Sequence, residues 1–286
     1  SGYVYLNEIH LAEPITRNGN ARKVSGDFEL PGLATFGGKH RYVDRAFQTP
    51  VTAITNQDNE QNTGYLNLLK PVFLPTSYTF SRQIVNTPNT YLTGNNNLVN
   101  LLQQGKVKKE DITAQGLLNV PLIPKTNLNY SRNNIRYELI KREDDKNTYG
   151  ASTNFSPPLN FFAIPKNISL SYTYITNEID YDPPYISTAD YYNSDERTNN
   201  YSVKLNFSPL KDWSVNPSYS LGRVAEKRIN LLDPTDSFSY QKSMQQNAEI
   251  NSNIRIMKWF APYISYSVNT TENNNINVTT VTKAQE

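Results

Sequence analysis

The stretch Ile168-Ser169-Leu170-Ser171-Tyr172-Thr173-Tyr174 decides the fold class, because apolar and hydroxyl-bearing side chains alternate strictly along it. Successive side chains of a β-strand point to opposite faces, so this pattern predicts a strand with one apolar and one polar face. The same alternation recurs at 24–30, 112–120, 201–207 and 248–256. The chain is therefore predicted to be all-β.

The connections between the predicted strands come in two lengths. Short ones lie at 70–75, 121–125, 157–162, 208–213 and 257–262, and each is followed by a strand rich in Ser, Asn and Tyr. Long polar stretches, such as 176–200 and 224–245, separate the resulting hairpins. A hairpin is thus the repeating unit of the sequence.

This asymmetry favours an outer-membrane barrel, in which the turns on one side are short and the loops on the other side are long. About twelve strands of roughly eight to eleven residues fit the chain, a length that crosses a bilayer at a tilt. We therefore expect antiparallel up-and-down hairpins that form an outer-membrane β-barrel or a sector of one. The expected location is the cell outer membrane, with membrane lipid as a partner.

Five aromatic residues are expected at one membrane interface, because they lie in or beside the predicted short turns. They are Phe161, Phe162, Trp213, Trp259 and Phe260. Outer-membrane barrels carry aromatic girdles at both interfaces. These residues are the predicted interfacial site.

The composition argues against several classes of chemistry. Cysteine is absent, which removes disulfides, thiol nucleophiles and Cys-based metal sites. Neither His10 nor His40 has a metal-ligand spacing, and no catalytic or dinucleotide-binding motif occurs. The formal net charge is only +2, so no nucleic-acid partner is expected. We expect no enzymatic activity, no cofactor and no bound metal.

Acidic residues cluster in the predicted loops. The clusters are Asp58 with Glu60, then Glu143, Asp144 and Asp145, and finally Asp180, Asp182, Asp190, Asp195 and Glu196. Calcium prefers such oxygen-rich loops, but the EF-hand spacing is missing and external loops are commonly acidic. We therefore interpret these clusters as solvated loop residues.

One segment departs from strand character. Residues 97–105 have the apolar spacing of a helix and end on a glycine, which predicts a short helix with a glycine C-cap. We expect this helix to lie inside a long loop.

The beginning of the chain carries two resemblances. The run Val4-Tyr5-Leu6-Asn7-Glu8-Ile9-His10-Leu11 resembles the closing strand of a galactose-binding-like jelly roll. The run at 21–38, with Gly26-Asp27-Phe28 and Leu30-Pro31-Gly32, resembles the start of a barrel section in the SprA-like family. Members of that family are giant outer-membrane translocons of type IX secretion and gliding motility.

The SprA-like resemblance implies a segment of a very large pore through which folded proteins pass to the cell surface. Its implied partners are secreted protein cargo and the shuttle or plug proteins of a secretion complex, and it implies no catalytic residue. We expect a jelly-roll closing strand at 1–14, a barrel sector at 15–272, and a tail or fraying strand at 273–286.

A soluble carbohydrate-binding or adhesive β-sandwich of the cell surface is the alternative. A sandwich buries its apolar faces against a second sheet, whereas a membrane barrel exposes an apolar band about 25 Å tall. The surroundings of Tyr172, Leu205 and Ile250 therefore distinguish the two folds. An enzyme within a barrel is a further rival, but it needs a catalytic constellation that His10 and His40 do not offer.

Overall fold

The computed structural model describes residues 19–47, 57–69, 75–87, 105–119, 124–158, 161–182, 192–230, 235, 237–255, 257, 259–274 and 282–285. Thirteen antiparallel strands in this part of the chain form one sheet, and their order in the sheet is their order in the sequence. The strands are β1 Ala21–Leu30, β2 Ala34–Val43, β3 Asp58–Leu68, β4 Pro75–Thr87, β5 Gly105–Leu118, β6 Thr126–Tyr137, β7 Arg142–Phe155, β8 Asn167–Tyr181, β9 Tyr192–Leu210, β10 Trp213–Asn230, β11 Ser237–Ile254, β12 Tyr263–Asn273 and β13 Thr282–Gln285. The prediction of an all-β chain of up-and-down hairpins is confirmed.

The sheet has two ends that differ in their connections. The turn end carries the connections that follow the odd-numbered strands, such as 31–33 and 211–212, and the loop end carries those that follow the even-numbered strands. The loop-end connections include 44–57 and 88–104, but the link between β6 and β7 is only the turn at 138–141. The expected contrast between the two ends is therefore present but uneven.

The pairing register separates the side chains into two faces of opposite character. Tyr172 of β8 lies opposite Ala151 of β7 and Tyr201 of β9. Its neighbour Ser171 lies opposite Ser152 and Ser202 on the other side of the sheet. We call the side of Tyr172 the apolar face and the side of Ser171 the polar face.

No second layer covers the apolar face in the described part of the chain. The buried hydrophobic residues there are only Ala34, Ile140 and Tyr181, whereas Ile250 and Tyr266 are 50% and 67% exposed. The accessible surface is 20757 Å², against about 12,000 Å² expected for a globular monomer of this mass. The molecule therefore has an open sheet where a globular domain has a core.

The strands are staggered, so that a line perpendicular to them crosses from apolar to charged residues. One row of directly paired residues runs through Phe36, Leu66, Tyr78, Ala114, Tyr130, Tyr149, Tyr174, Asn199 and Arg223. Phe36 is the third residue of β2, but Arg223 is the eleventh residue of β10. Closing a sheet into a barrel requires a stagger of this kind, because the strands must tilt against the barrel axis.

Several length predictions were wrong. The main strands contain 10 to 19 residues rather than eight to eleven. The predicted loop at 176–200 is mostly strand, since β8 continues to Tyr181 and β9 begins at Tyr192. The predicted loop at 224–245 is likewise divided between β10 and β11. Ion pairs and hydrogen bonds between neighbouring strands hold these charged stretches in the sheet, as described below.

Other predictions fall outside the described residues. These are the opening strand at 4–11 and the helix up to residue 104, whereas Gly105 is the first residue of β5.

The sheet also remains open at its sides, because within the described ranges no ladder joins β1 to β12 or β13.

Gly37 of β2 lies on the polar face at a position where a larger residue would not fit. The Tyr65 hydroxyl on β3 reaches across β2 and donates a hydrogen bond of 2.8 Å to Oδ1 of Asp27 on β1. Gly37 lies directly between these two residues in the register. A Cβ atom at this position would overlap Asp27 Oδ1 and lie 2.7 Å from the Tyr65 ring. The glycine thus lets one hydrogen bond link three strands.

Replacing this glycine is expected to destabilise the sheet. Gly37→Ala should lower the free energy of unfolding by about 1–3 kcal/mol, the usual cost of overpacking. The matched control is Gly64→Ala, because a Cβ atom there meets its nearest neighbour at 3.7 Å. The midpoint of denaturant unfolding measures both variants, and an equal midpoint for the two would contradict this account of Gly37.

Candidate functional site

The candidate site is the sheet itself, beginning with a continuous band of apolar side chains on the apolar face. On β8 to β10 the band consists of Ile168, Leu170, Tyr172 and Tyr174, then Tyr201, Val203, Leu205 and Phe207, then Val215, Pro217, Tyr219 and Leu221. The first and last band residues of each of these strands are six positions apart, which corresponds to about 20 Å along the strand axis. The band continues over β11 and β12 with Ala248, Ile250, Ile254, Ile264, Tyr266 and Val268. Its height is comparable with the apolar zone of a membrane barrel.

The five aromatics singled out from the sequence all lie at the turn end. Phe161 and Phe162 follow β7, with ring centroids 4.4 Å apart. Trp259 and Phe260 follow β11, with ring centroids 6.0 Å apart, and Trp259 is 82% exposed. Trp213 begins β10, and its indole N–H donates a hydrogen bond of 3.0 Å to Ser252 Oγ. The sheet therefore places these residues along one border of the apolar band.

A row of tyrosines marks the opposite border, which sequence reasoning missed. The rings of Tyr130 and Tyr149 lie 5.1 Å apart, and those of Tyr149 and Tyr174 lie 6.2 Å apart. In the adjacent row, the rings of Tyr172 and Tyr201 lie 4.8 Å apart. The five rings cover the apolar face from β6 to β9.

The tyrosine hydroxyls show where the apolar band ends. Tyr130 donates a hydrogen bond of 3.0 Å to Asn147 Oδ1, and Tyr172 donates one of 3.0 Å to Asn199 Oδ1. Tyrosine suits a border because its ring is apolar while its hydroxyl needs a polar partner. A signal was present in the sequence, since a tyrosine recurs in the strand that follows each short connection.

The polar face is lined mainly by neutral side chains at the level of the apolar band. Ser152, Ser171, Ser202 and Ser220 form one directly paired row across β7 to β10. Elsewhere on this face Asn206 donates to Asn216, and the hydroxyls of Thr79 and Thr113 hydrogen-bond to each other. Hydroxyl and amide groups bind water or peptide without adding net charge.

The strands continue beyond the tyrosines as a charged extension at the loop end. On the apolar side of the sheet, Nε and Nη2 of Arg132 donate hydrogen bonds of 3.0 and 2.8 Å to Asp145. Nε and Nη2 of Arg136 both donate to a single oxygen of Glu143, Oε2, and Asn134 donates to the other, Oε1. These ion pairs join β6 to β7, which explains why the predicted acidic loop at Glu143, Asp144 and Asp145 is a strand.

A second cluster lies on the polar face of the extension, around Glu226. Glu226 is 4% exposed and accepts hydrogen bonds from Arg228 Nε at 2.6 Å and from the Tyr240 hydroxyl at 2.7 Å. Lys242 pairs with both Glu226 and Glu196. The register shifts beside Val224 and Ala225, and this β-bulge leaves Lys242 as the extra residue of β11. The cluster thus ties together β9, β10 and β11.

Glu226 lies five residues beyond Leu221, outside the apolar band. Burial raises the pKa of its carboxyl, but hydrogen bonds from Arg228 and Tyr240 and the charge of Lys242 outweigh burial and lower the pKa to about 2. A carboxyl whose pKa is lowered on folding stabilises the fold only while it is ionised. Its contribution is therefore complete above pH about 4.5 and is lost as the pH falls to about 2.

The lowered pKa of Glu226 leads to a prediction about how stability depends on pH. Glu226→Gln should lower the unfolding midpoint at neutral pH and reduce its fall between about pH 4.5 and 2. Glu29→Gln, on the exposed edge strand β1, is the matched control for the loss of one carboxylate. Unfolding midpoints across this pH range give the profiles, and an unaltered profile for Glu226→Gln would refute the assigned role.

The other residues considered for chemistry do not converge on a reactive centre. His40 contacts Asn62 through Nδ1 at 2.6 Å and accepts a hydrogen bond from Arg22 through Nε2 at 3.2 Å, and His10 lies outside the described residues. Within the described ranges, no group of three or more His, Asp or Glu side chains is placed to hold a metal ion. The acidic residues Asp58, Glu60, Asp180, Asp195 and Glu196 lie in strands rather than loops, Asp182 directly follows β8, and Asp190 lies outside the described residues.

In the described part of the chain, no helix is long and apolar enough to cross a membrane. Comparison with protein-family models, with curated proteins and with solved structures gives no match to this chain. The geometry of the two faces is therefore the basis for assigning a function.

Proposed function

We propose that this chain is a sector of an outer-membrane β-barrel translocon that exports proteins to the cell surface, in the manner of type IX secretion and gliding motility. The observation that carries the proposal is the two-faced sheet, whose uncovered apolar band is bordered by aromatic side chains and backed by a neutral polar face. The proposal includes no catalytic step and no cofactor.

A lipid environment accounts for the apolar band. Large exposed apolar patches on a protein mark sites of contact with a membrane or another protein, and here Ile250 and Tyr266 are among the exposed members. Antiparallel hairpins satisfy the backbone hydrogen bonds of each strand within the sheet, which hydrocarbon requires. Trp213 and Trp259 at one border and the tyrosine row at the other match the two aromatic girdles of outer-membrane barrels.

The open sides of the sheet favour a sector of a larger barrel. The outer edges of β1 and of β12 beyond its pairing with β13 present unpaired backbone groups among the described strands. Such edges aggregate or bind further strands. A barrel completed by additional strands removes both edges and gives a lumen wider than thirteen strands alone enclose.

The neutral polar face suits passage of polypeptides. The serine row from Ser152 to Ser220 presents small hydroxyl groups, so the wall forms weak hydrogen bonds with cargo of either charge. Secreted proteins are the proposed cargo, and shuttle or plug proteins of the secretion complex are the proposed partners.

The alternative of a carbohydrate-binding or adhesive β-sandwich requires a second sheet over the apolar face. Every strand in the described ranges belongs to one sheet, with Tyr172 36% and Ile250 50% exposed. This observation favours the barrel as the more economical proposal.

Photocrosslinking in living cells tests the translocon proposal. A photoreactive phenylalanine analogue at Ser171 or Ser202, on the polar face, should crosslink to polypeptides that the same cells export. The analogue at the neighbouring residues Leu170 or Val203, on the apolar face, should not.

The complete protein must remain in the outer-membrane fraction and support secretion for the comparison to count. Crosslinks to exported proteins from the apolar face would contradict the proposal. The absence of crosslinks from both faces during active secretion would contradict it as well. Recovery of the active protein in the soluble fraction would favour the sandwich instead.

A further inference from the structure

Two grooves cut into the apolar face between the tyrosine row and the turn end. The first has a volume of about 350 Å³ and is lined by Leu118, Leu128, Tyr130 and Tyr149, with the small residues Ala114 and Gly116 beside them. The second has a volume of about 290 Å³, and its lining includes Leu170, Tyr201 and Val203. Ala151 and Tyr172 line both grooves.

The grooves exist because small residues interrupt a face of large ones. Gly116 pairs with Leu128, which pairs with Ala151, which pairs with Tyr172. Glycine and alanine therefore alternate with leucine and tyrosine across neighbouring strands. The resulting depressions are lined mainly by apolar side chains and lie at the level of the apolar band.

Two arginines lie on the loop-end side of the first groove. Arg132 and Arg136 follow Tyr130 on the same face of β6, about 13 Å apart along the strand. The Nε and Nη2 groups of Arg132 donate hydrogen bonds to Asp145, and those of Arg136 donate to Glu143. Among the described residues, neither Nη1 has an acceptor, so each guanidinium can still donate to a phosphate.

We propose that this surface binds a phosphorylated glycolipid of the lipopolysaccharide class, with acyl chains in the two grooves and phosphate groups at Arg132 and Arg136. The inference rests on the proposed membrane location and goes beyond the export function. The loop end then faces the outer leaflet, since outer-membrane barrels carry their longer loops outside.

The charged extension favours a glycolipid over a glycerophospholipid. On β8 the same face continues beyond Tyr174 through Thr176, Glu178 and Asp180, which is about 20 Å of strand. Asn147 of β7 and Arg197 of β9 lie directly opposite Thr176, and Asn134 of β6 lies in the same row as Glu178. A phosphorylated sugar headgroup is tall and rich in hydroxyls, so it can contact these groups, whereas a glycerophosphate headgroup reaches only the first of them.

Acidic side chains around Glu178 restrict where on this surface the phosphates can bind. Glu178 lies directly opposite Asp145 on one side and Asp195 on the other. Burial and the charges of Asp195, Asp180 and Asp145 raise the pKa of the Glu178 carboxyl. This part of the extension repels anions, so the phosphates belong over β6 and the sugar hydroxyls over β8 and β9.

Native mass spectrometry of the complete protein tests the inference. After reconstitution with an equimolar mixture of lipopolysaccharide and phosphatidylglycerol, wild-type protein should retain lipopolysaccharide preferentially. Arg132→Gln with Arg136→Gln should reduce that retention by about tenfold or more, the scale of losing charged hydrogen bonds. Ala151→Leu, which fills both grooves, should reduce it similarly.

The controls separate the lipid site from membrane insertion. Ala248→Leu lies on the same apolar face outside both grooves and should retain lipopolysaccharide like the wild type. Arg132→Lys with Arg136→Lys keeps the charges and should lose much less than the glutamine pair. Heat-modifiable migration in detergent reports whether each variant still forms its barrel.

Two results would overturn the glycolipid site while leaving the barrel intact. One is equal retention of lipopolysaccharide by the wild type, the glutamine pair and Ala151→Leu, all heat-modifiable. The other is preferential retention of phosphatidylglycerol. A wild-type protein that is not heat-modifiable and retains neither lipid would instead contradict the membrane proposal itself.

Discussion

Pairing of each strand with its chain neighbours is the constraint on which the rest of this structure depends. Because the backbone hydrogen bonds are satisfied inside a single sheet, no second layer is needed to complete them. The side chains are then free to form two faces of opposite polarity, and the period of two assigns every residue to one of them. The apolar face has no protein partner among the described residues, and under the proposed function lipid is what stabilises it.

The stagger of the strands divides the sheet into levels. Phe36 and Arg223 lie in one row of paired residues, although the first belongs to the apolar band and the second to the charged extension. Consequently the band runs obliquely across the strands. Its two borders carry different aromatics, with tryptophan and phenylalanine at the turn end and tyrosine at the loop end. The charged extension beyond the tyrosines is held by cross-strand ion pairs, and the Glu226 cluster fixes its polar side.

Local sequence was sufficient to predict the strands of the apolar band. Residues 168–174 alternate so strictly that both the fold class and the two faces follow from them. The charged stretches were misjudged because polarity without alternation is typical of loops. Arg132 and Asp145, or Lys242 and Glu196, become partners only when the register is known, and nothing local to either residue indicates the other.

The candidate site was also predicted only in part from the sequence. Phe161, Phe162, Trp213, Trp259 and Phe260 were found because aromatics beside short turns stand out in a sequence. The tyrosine row was missed because Tyr130, Tyr149 and Tyr174 are separated in the chain and meet only across paired strands. The grooves depend on the same lateral neighbours, since Gly116 and Ala151 form no pattern along their own strands.

The central claim is that the apolar face contacts lipid, and β9 offers the most direct test. The chain has no cysteine, so a single cysteine can be placed at each position from 201 to 207 in the complete protein and labelled with a fluorophore. Nitroxide-bearing lipids should quench the label at 201, 203, 205 and 207 and spare it at 202, 204 and 206. Equal quenching at all seven positions, or none at any of them, would contradict the account.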